Sequence, residues 1–148
     1  MIVAKHFSWE AAHRIPWHDG KCKNLHGHSY KMIVELEGET NEKGIVIDFK
    51  ELKDIVQPYV HLLDHSTIIA ADDKELKEIF DGKDWKNYVL PFDSTAENLC
   101  NYFANIIIKD NEALLAKHNI QSVSVKIAET DSAYAYTKVF VGDDKKCK

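Results

Sequence analysis

The sequence predicts a two-layer α+β domain in which a four-stranded antiparallel sheet carries two helices on one face. Two segments near the start of the chain and two near its end alternate apolar and polar residues, as half-buried strands do. Between them lie two segments with apolar residues at helical spacing, each preceded by a capping-box motif. The predicted order is therefore β-β-α-α-β-β, with no internal repeat and no linker.

The first two strands are predicted over residues 2–13 and 28–37. His26 and His28 have the same parity as the apolar positions of the second strand, so they extend its buried face. Imidazoles in such a position need a polar partner or a ligand. The alternating apolar positions are Phe7, Trp9 and Ala11 in the first strand and Tyr30, Met32, Val34 and Leu36 in the second.

The first predicted helix begins at the capping box of residues 48–51, and Pro58 is expected to kink it or to end its first part. The second begins at the capping box of residues 94–97. Residues 71–93 show no sustained period, so we expect a short helical turn and a surface loop there. The apolar stripe of the second helix is Leu99, Phe103, Ile106 and Ile107.

The last two strands are predicted over residues 123–129 and 133–141. The edges of the resulting four-stranded sheet carry no obvious blunting features. Open edges can be closed by pairing with other copies of the chain, so we expect an oligomer.

Composition narrows the class of protein. With 148 residues the chain is predicted to form one domain, residues 1–148, and its 45% hydrophobic and 29% charged residues are ordinary for a soluble protein. No apolar stretch approaches the ~20 residues of a membrane span, and the N-terminus does not resemble a signal peptide, so we expect a cytoplasmic protein. The net charge of -5 disfavours nucleic acid as a partner. Three cysteines without C-x-x-C spacing predict free thiols.

The segment His26-Gly27-His28 places two imidazoles on one face of a strand, as a chelating pair. His13 ends the preceding strand and could supply a third nitrogen. Three neutral imidazoles that leave a fourth position open are typical of catalytic zinc. The alternative is three independent histidines that serve packing or surface roles.

Three further positions are chemical candidates. Cys22 lies in a polar, turn-rich loop between two lysines, whose charge favours the thiolate; it could also be an ordinary exposed cysteine or a fourth zinc ligand. Asp64 and His65 could form an oriented acid-base pair, or His65 could simply interact with a helix end. Glu129 continues a buried strand face, where a carboxylate must be paired, protonated or used on a ligand, unless the strand emerges into solvent there.

Taken together, the motifs of the chain resemble the 6-pyruvoyl-tetrahydropterin synthase family, which includes the bacterial 6-carboxytetrahydropterin synthases. The resemblance implies the tunnelling fold, in which three four-stranded sheets join into a twelve-stranded barrel and two trimers stack into a homohexamer. It also implies active sites at subunit interfaces. The motifs are Phe7-Ser8-x-Glu10-Ala11-Ala12-His13-Arg14, Cys22-x-x-Leu25-His26-Gly27-His28, Gly44-x-x-Ile47-Asp48-Phe49, Leu63-Asp64-His65, Ser94-Thr95-Ala96-Glu97-Asn98 and Glu129-Thr130.

The same resemblance implies residue roles. Zn2+ would be bound by His13, His26 and His28. Cys22 would be the general base, with Asp64 and His65 as its partner dyad, while Glu129 would anchor the pterin ring and Thr95 would lie near it. Arg14 and nearby lysines are candidates for holding the triphosphate of the substrate. Residues 71–93 match no motif of the family, and Asp131-Ser132-Ala133 departs from the Asn-containing segment of animal members.

The activity implied first is conversion of 7,8-dihydroneopterin triphosphate to 6-carboxy-5,6,7,8-tetrahydropterin, with release of acetaldehyde and triphosphate, in queuosine and deazapurine synthesis. The alternatives are a 6-pyruvoyl-tetrahydropterin synthase of tetrahydrobiopterin synthesis and a non-catalytic module that binds zinc or pterin. A hydrolase or hydratase that uses zinc hydroxide is disfavoured, because such a site needs no cysteine.

Overall fold

The computed structural model describes residues 1–142, which form a six-stranded sheet and four helices. Cys147 lies outside the described residues. No helix within residues 1–142 is long and apolar enough to span a membrane. In chain order the elements are β1 (Ile2–His13), β2 (His26–Gly38), α1 (Phe49–Leu63), β3 (Ser66–Ala70), α2 (Lys74–Phe80), β4 (Asn87–Leu90), α3 (Ala96–Asp110), α4 (Glu112–Lys117), β5 (Ile120–Thr130) and β6 (Ala133–Phe140).

The four predicted strands are confirmed as β1, β2, β5 and β6, which are antiparallel neighbours. One face of this sheet is buried, as the alternation predicted. The other face is more exposed and carries polar residues together with the apolar or aromatic side chains of Ile2, Tyr134, Tyr136 and Phe140. Helices α1 and α3 both pack on the buried face, which confirms the predicted layers. The shared core contains Trp9, Tyr30, Met32, Val34, Leu36, Val123, Val125 and Ile127 from the strands, Leu52, Val56, Val60 and Leu63 from α1, and Leu99, Phe103 and Ile107 from α3.

The prediction of only four strands, all antiparallel, is wrong. β3 and β4 extend the sheet beside β1 as parallel strands, which gives a mixed sheet in the order β4-β3-β1-β2-β5-β6. All five residues of β3 are buried, so this strand has no polar-apolar alternation for a sequence to reveal. β4 lies within residues 71–93, where we expected a loop, whereas the expected helical turn is present as α2.

The helix starts are set by side-chain caps. The carboxylate of Asp48 accepts a hydrogen bond from the backbone of Lys50, and α1 then runs through Pro58 without ending. α3 begins one residue later than its motif suggested: the N-cap is Thr95, whose hydroxyl accepts from the backbone N–H of Asn98. The side chain of Ser94 therefore does not serve as the N-cap of α3.

Candidate active site

Strand pairing brings the three histidines together. His13 at the end of β1 is opposite His26 at the start of β2, and Ala11 is opposite His28. The three imidazoles therefore point to the same face of the sheet. Their potential ligand nitrogens lie within 4.8 Å of one another, and the ring centroids are 4.7 to 5.1 Å apart. The predicted cluster is thus present.

Backbone carbonyls orient two of these rings. Nδ1 of His13 lies 3.1 Å from the carbonyl oxygen of Ser94, and Nδ1 of His26 lies 2.7 Å from that of Asn24. A carbonyl can only accept, so Nδ1 donates in each ring and Nε2 keeps its lone pair. Nε2 of His13 and Nε2 of His28 are buried and have no hydrogen-bond partner. Two buried Nε2 atoms without a partner beside a third imidazole fit a metal ion.

The protonation of the cluster also suits a metal. Burial, followed by the nearby imidazoles of His26 and His28, lowers the pKa of His13 to about 4. Burial and His26 likewise lower the pKa of His28. At neutral pH these two rings are therefore uncharged, as coordinating histidines must be.

His13 borders a cavity of about 410 Å³ that also contains Cys22, Thr95 and Glu129. Cys22 is half-buried in a 3-10 turn, Lys21–Lys23, and does not belong to the histidine cluster, which disfavours the alternative of a fourth ligand. The structure thus brings a candidate metal ligand, a thiol, a hydroxyl and a carboxylate to one cavity. That volume is typical of a small-molecule site.

Glu129 is half-buried in this cavity. Its Oε1 atom is buried without a hydrogen-bond partner and lies 3.9 Å from Nε2 of His13. Burial, and then the negative charge of Glu97, raises the pKa of Glu129 above its usual range, while His26 opposes this. The strand therefore does not simply emerge into water at this residue. Its carboxylate has a free acceptor for a ligand.

Asp64 and His65 lie at the end of α1 and form the predicted pair, with Nδ1 of His65 2.9 Å from Oδ1 of Asp64. Both contact β1: the N–H of Glu10 donates to Asp64, and the N–H of His65 donates to the carbonyl of Glu10. His65 lines a second cavity of about 690 Å³ with Lys86. Within one subunit the structure therefore does not bring His65 to the cavity of Cys22.

Two residues have contacts that the sequence did not reveal. Ser94 is almost fully buried, and its hydroxyl lies 3.0 Å from Nδ1 of His13. Arg14, a candidate for the triphosphate, instead donates two hydrogen bonds to Asp73 and one to Glu75. The contact of Ser94 with His13 was not predictable, because a serine at the edge of a capping motif gives no sign of a partner 81 residues away.

Comparison with known proteins places this site in context. The family model described as 6-pyruvoyl tetrahydropterin synthase matches residues 2–138. Two relatives carry the name 6-carboxy-5,6,7,8-tetrahydropterin synthase: that of Haemophilus influenzae is 31% identical over 140 residues and that of Rickettsia conorii 32% over 133. These alignments cover 89% and 88% of this chain and 94% of each relative.

The fold has a solved counterpart as well. The 6-pyruvoyl tetrahydropterin synthase of Plasmodium falciparum superposes with a TM-score of 0.76 at 22% identity, over 95% of this chain and 98% of that one. The match in fold and the match in sequence each cover most of the chain. The chain therefore belongs to the 6-pyruvoyl tetrahydropterin synthase family.

Proposed function

We propose that this protein is a zinc-dependent 6-carboxytetrahydropterin synthase that acts on 7,8-dihydroneopterin triphosphate. The observation that carries the proposal is the cavity in which the orphaned Nε2 of His13, the unpartnered Oε1 of Glu129 and the thiol of Cys22 meet. The names of the two bacterial relatives support the carboxy product over the pyruvoyl product.

The metal would be held by His13, His26 and His28, whose donor set suits Zn2+. When bound, zinc supplies a Lewis acid for the side-chain hydroxyls of the substrate, which acidifies the neighbouring protons. Cys22 stays outside the ligand set and keeps its thiol for proton transfer.

Glu129 would orient the pterin. The guanidine-like edge of the ring presents two parallel N–H donors, and a carboxylate can accept both. Its unpartnered oxygen inside the cavity is suited to this, because the substrate would satisfy an acceptor that the protein leaves free. Thr95 lies along the same cavity, where it limits the space beside the ring.

Cys22 and His65 would divide the proton transfers. Cys22 would remove a proton from the side-chain carbon next to the ring, and His65, oriented by Asp64, would relay a proton as the ring becomes the tetrahydro form. One water is consumed per turnover, because the side chain is released as acetaldehyde and triphosphate. Since Cys22 and His65 line separate cavities of one subunit, we infer that His65 comes from a neighbouring copy.

The sheet supports such an assembly. β3 pairs with β1 only at Ala11 and Ala12, so residues 2–10 of β1 keep an open edge, as does β6 on its outer side. β1, β2, β5 and β6 alternate in direction, and β6 of one copy therefore meets β1 of the next as an antiparallel neighbour. Three copies close twelve strands into a barrel, and two such trimers would form the hexamer.

A product assay tests the proposal. The zinc-loaded protein is incubated with 7,8-dihydroneopterin triphosphate, acetaldehyde is trapped, and the pterin product is identified by mass. We expect 6-carboxytetrahydropterin with one acetaldehyde per turnover, and none from Cys22→Ala with its zinc retained. A pyruvoyl product without acetaldehyde would favour the alternative synthase. Pterin binding without turnover would indicate a binding module.

A further inference from the structure

The segment of residues 71–90, which contains α2 and β4, contacts the neighbourhood of the site at two points. At its start, Asp73 accepts two hydrogen bonds from Arg14, the residue next to His13. At its other end, Lys86 contacts the turn that carries Asp64 and His65. The segment therefore contacts Arg14, which is next to the histidine cluster, and it also contacts Asp64 of the dyad.

Lys86 joins this turn through both its side chain and its backbone. Its ammonium donates to the carbonyl of His61 at 2.7 Å and to the carbonyl of Asp64 at 2.5 Å. These are carbonyls at the C-terminal end of α1, where a cation is favoured by the helix dipole. The carbonyl of Lys86 in turn accepts from the N–H of Thr67, two residues after His65.

The turn needs such support because His65 has a φ of 55°, a left-handed conformation that is unfavourable for a residue with a Cβ. The carbonyl that Lys86 binds belongs to the peptide unit joining Asp64 to His65. Fixing that peptide unit fixes the direction from which the imidazole leaves the backbone. Further hydrogen bonds on the turn come from Glu10 on β1 and from the hydroxyl of Ser66, which donates to the carbonyl of Leu63.

We propose that Lys86 is a positioning residue that holds the Asp64–His65 turn in its left-handed form, so that segment 71–90 serves the reaction. The inference rests on the proposed function in so far as the dyad takes part in catalysis. Lys86 contacts no reacting atom in this account; it acts through the peptide unit before His65. A second cation of the same segment, Lys83, lies over the ring of Trp85 and provides a matched control.

The test compares Lys86→Met, Lys86→Arg and Lys83→Met in the full-length zinc-loaded protein. Hydrogen exchange of residues 61–67 is followed by mass spectrometry. We expect exchange about tenfold faster in Lys86→Met and unchanged in Lys83→Met, because only the first loses the carbonyl contacts. Lys86→Arg should restore slow exchange, since a guanidinium can donate to both carbonyls.

Turnover gives the second measurement. Lys86→Met should lower kcat by about tenfold with KM within about twofold, and Lys86→Arg should recover most of kcat. Unchanged exchange of residues 61–67 in Lys86→Met would overturn the proposal, whatever the activity. A wild-type protein inactive on the pterin triphosphate would instead count against the proposed function, while the exchange data still decide the role of Lys86. If Lys86→Met does not fold, Lys86→Gln is measured in the same way.

Discussion

The carbonyl oxygen of Ser94 accepts a hydrogen bond from Nδ1 of His13 at 3.1 Å, and the Ser94 hydroxyl lies 3.0 Å from the same nitrogen. The start of α3 thereby sets the tautomer and the ring orientation of a residue at the end of β1. This is the contact expected behind a metal-ligating imidazole, whose other nitrogen is held by a backbone or side-chain acceptor.

Ser94→Ala should weaken zinc binding. The substitution removes the hydroxyl and leaves only the carbonyl to orient His13, so we expect an affinity about tenfold lower. Competition with a chromogenic chelator measures this directly. Thr95→Ala is the control: it removes the cap of α3, which destabilises the helix by about 1 kcal/mol, but not the contact to His13. Equal affinity losses in both variants would argue against a specific role of Ser94.

His28→Ala should abolish the metal site. With one of the two orphaned Nε2 atoms removed, two imidazoles remain, and we expect bound zinc to fall from about one per subunit to a trace after dialysis. Atomic emission gives the metal content. His6→Ala on the opposite face of the sheet should retain full occupancy. Chelation of the wild-type protein should lower its thermal midpoint, and added zinc should restore it.

Glu129→Gln should impair pterin binding. Gln offers one acceptor and one donor where the ring edge presents two donors, so we expect a loss of about 2 kcal/mol, about thirtyfold in Kd. Quenching of pterin fluorescence on titration measures it. Glu97→Gln removes a carboxylate from the same cavity and with it a charge that raises the pKa of Glu129, so this variant should bind at least as well as the wild type. A Glu129→Gln variant with unchanged Kd would rule out the anchoring role.

The Arg14–Asp73 pair should give stability that depends on pH. The Arg14 guanidinium is the main cause of the lowered pKa of Asp73, and both side chains are largely buried. Asp73→Asn keeps the capping ability but breaks the pair, so we expect a loss of about 3 kcal/mol in the free energy of unfolding at neutral pH.

The sign of the pH dependence follows from the direction of that shift. A carboxyl whose pKa is lowered in the folded state stabilises the protein above its unfolded pKa, and this contribution disappears as the pH falls through the folded pKa. The difference between wild type and Asp73→Asn in urea unfolding should therefore be constant from about pH 5 to 8 and shrink below about pH 4. A difference that persists undiminished in acid would show that the carboxylate charge is not its source.

The elements that the sequence predicted best are those with one buried face. Alternation located β1, β2, β5 and β6, and the parity of His26 and His28 predicted the cluster, because period-two geometry is local information. β3 was missed because burial on both sides removes that alternation. Its place beside β1 depends on tertiary pairing, which no local pattern records.

The sequence likewise predicted part of the candidate site and missed part of it. The position of Glu129 in the alternating pattern of its strand was enough to predict an unusual environment for its carboxylate. The role of Ser94 was hidden, since its segment reads equally well as a helix cap. No local pattern places Cys22 and His65 at separate cavities of one subunit, although the family resemblance implied active sites at subunit interfaces.

Reconstitution from two inactive variants tests the division of the site between copies most directly. Cys22→Ala and His65→Ala carry different tags, are co-expressed, and mixed oligomers are isolated by tandem purification. Random mixing at equal amounts leaves about one quarter of the sites with an intact Cys22 from one copy and an intact His65 from another, so we expect about a quarter of wild-type activity.

A second mixture, of wild type with the double variant Cys22→Ala/His65→Ala, is the reference for the activity expected from the two single variants. If the two residues act across an interface, this mixture also gives about one quarter; if they act within one subunit, it gives about one half. For a site shared between subunits we expect about a quarter of wild-type activity in both mixtures. Activity near zero from the two single variants, with about half from the wild-type mixture, would contradict a site shared between subunits.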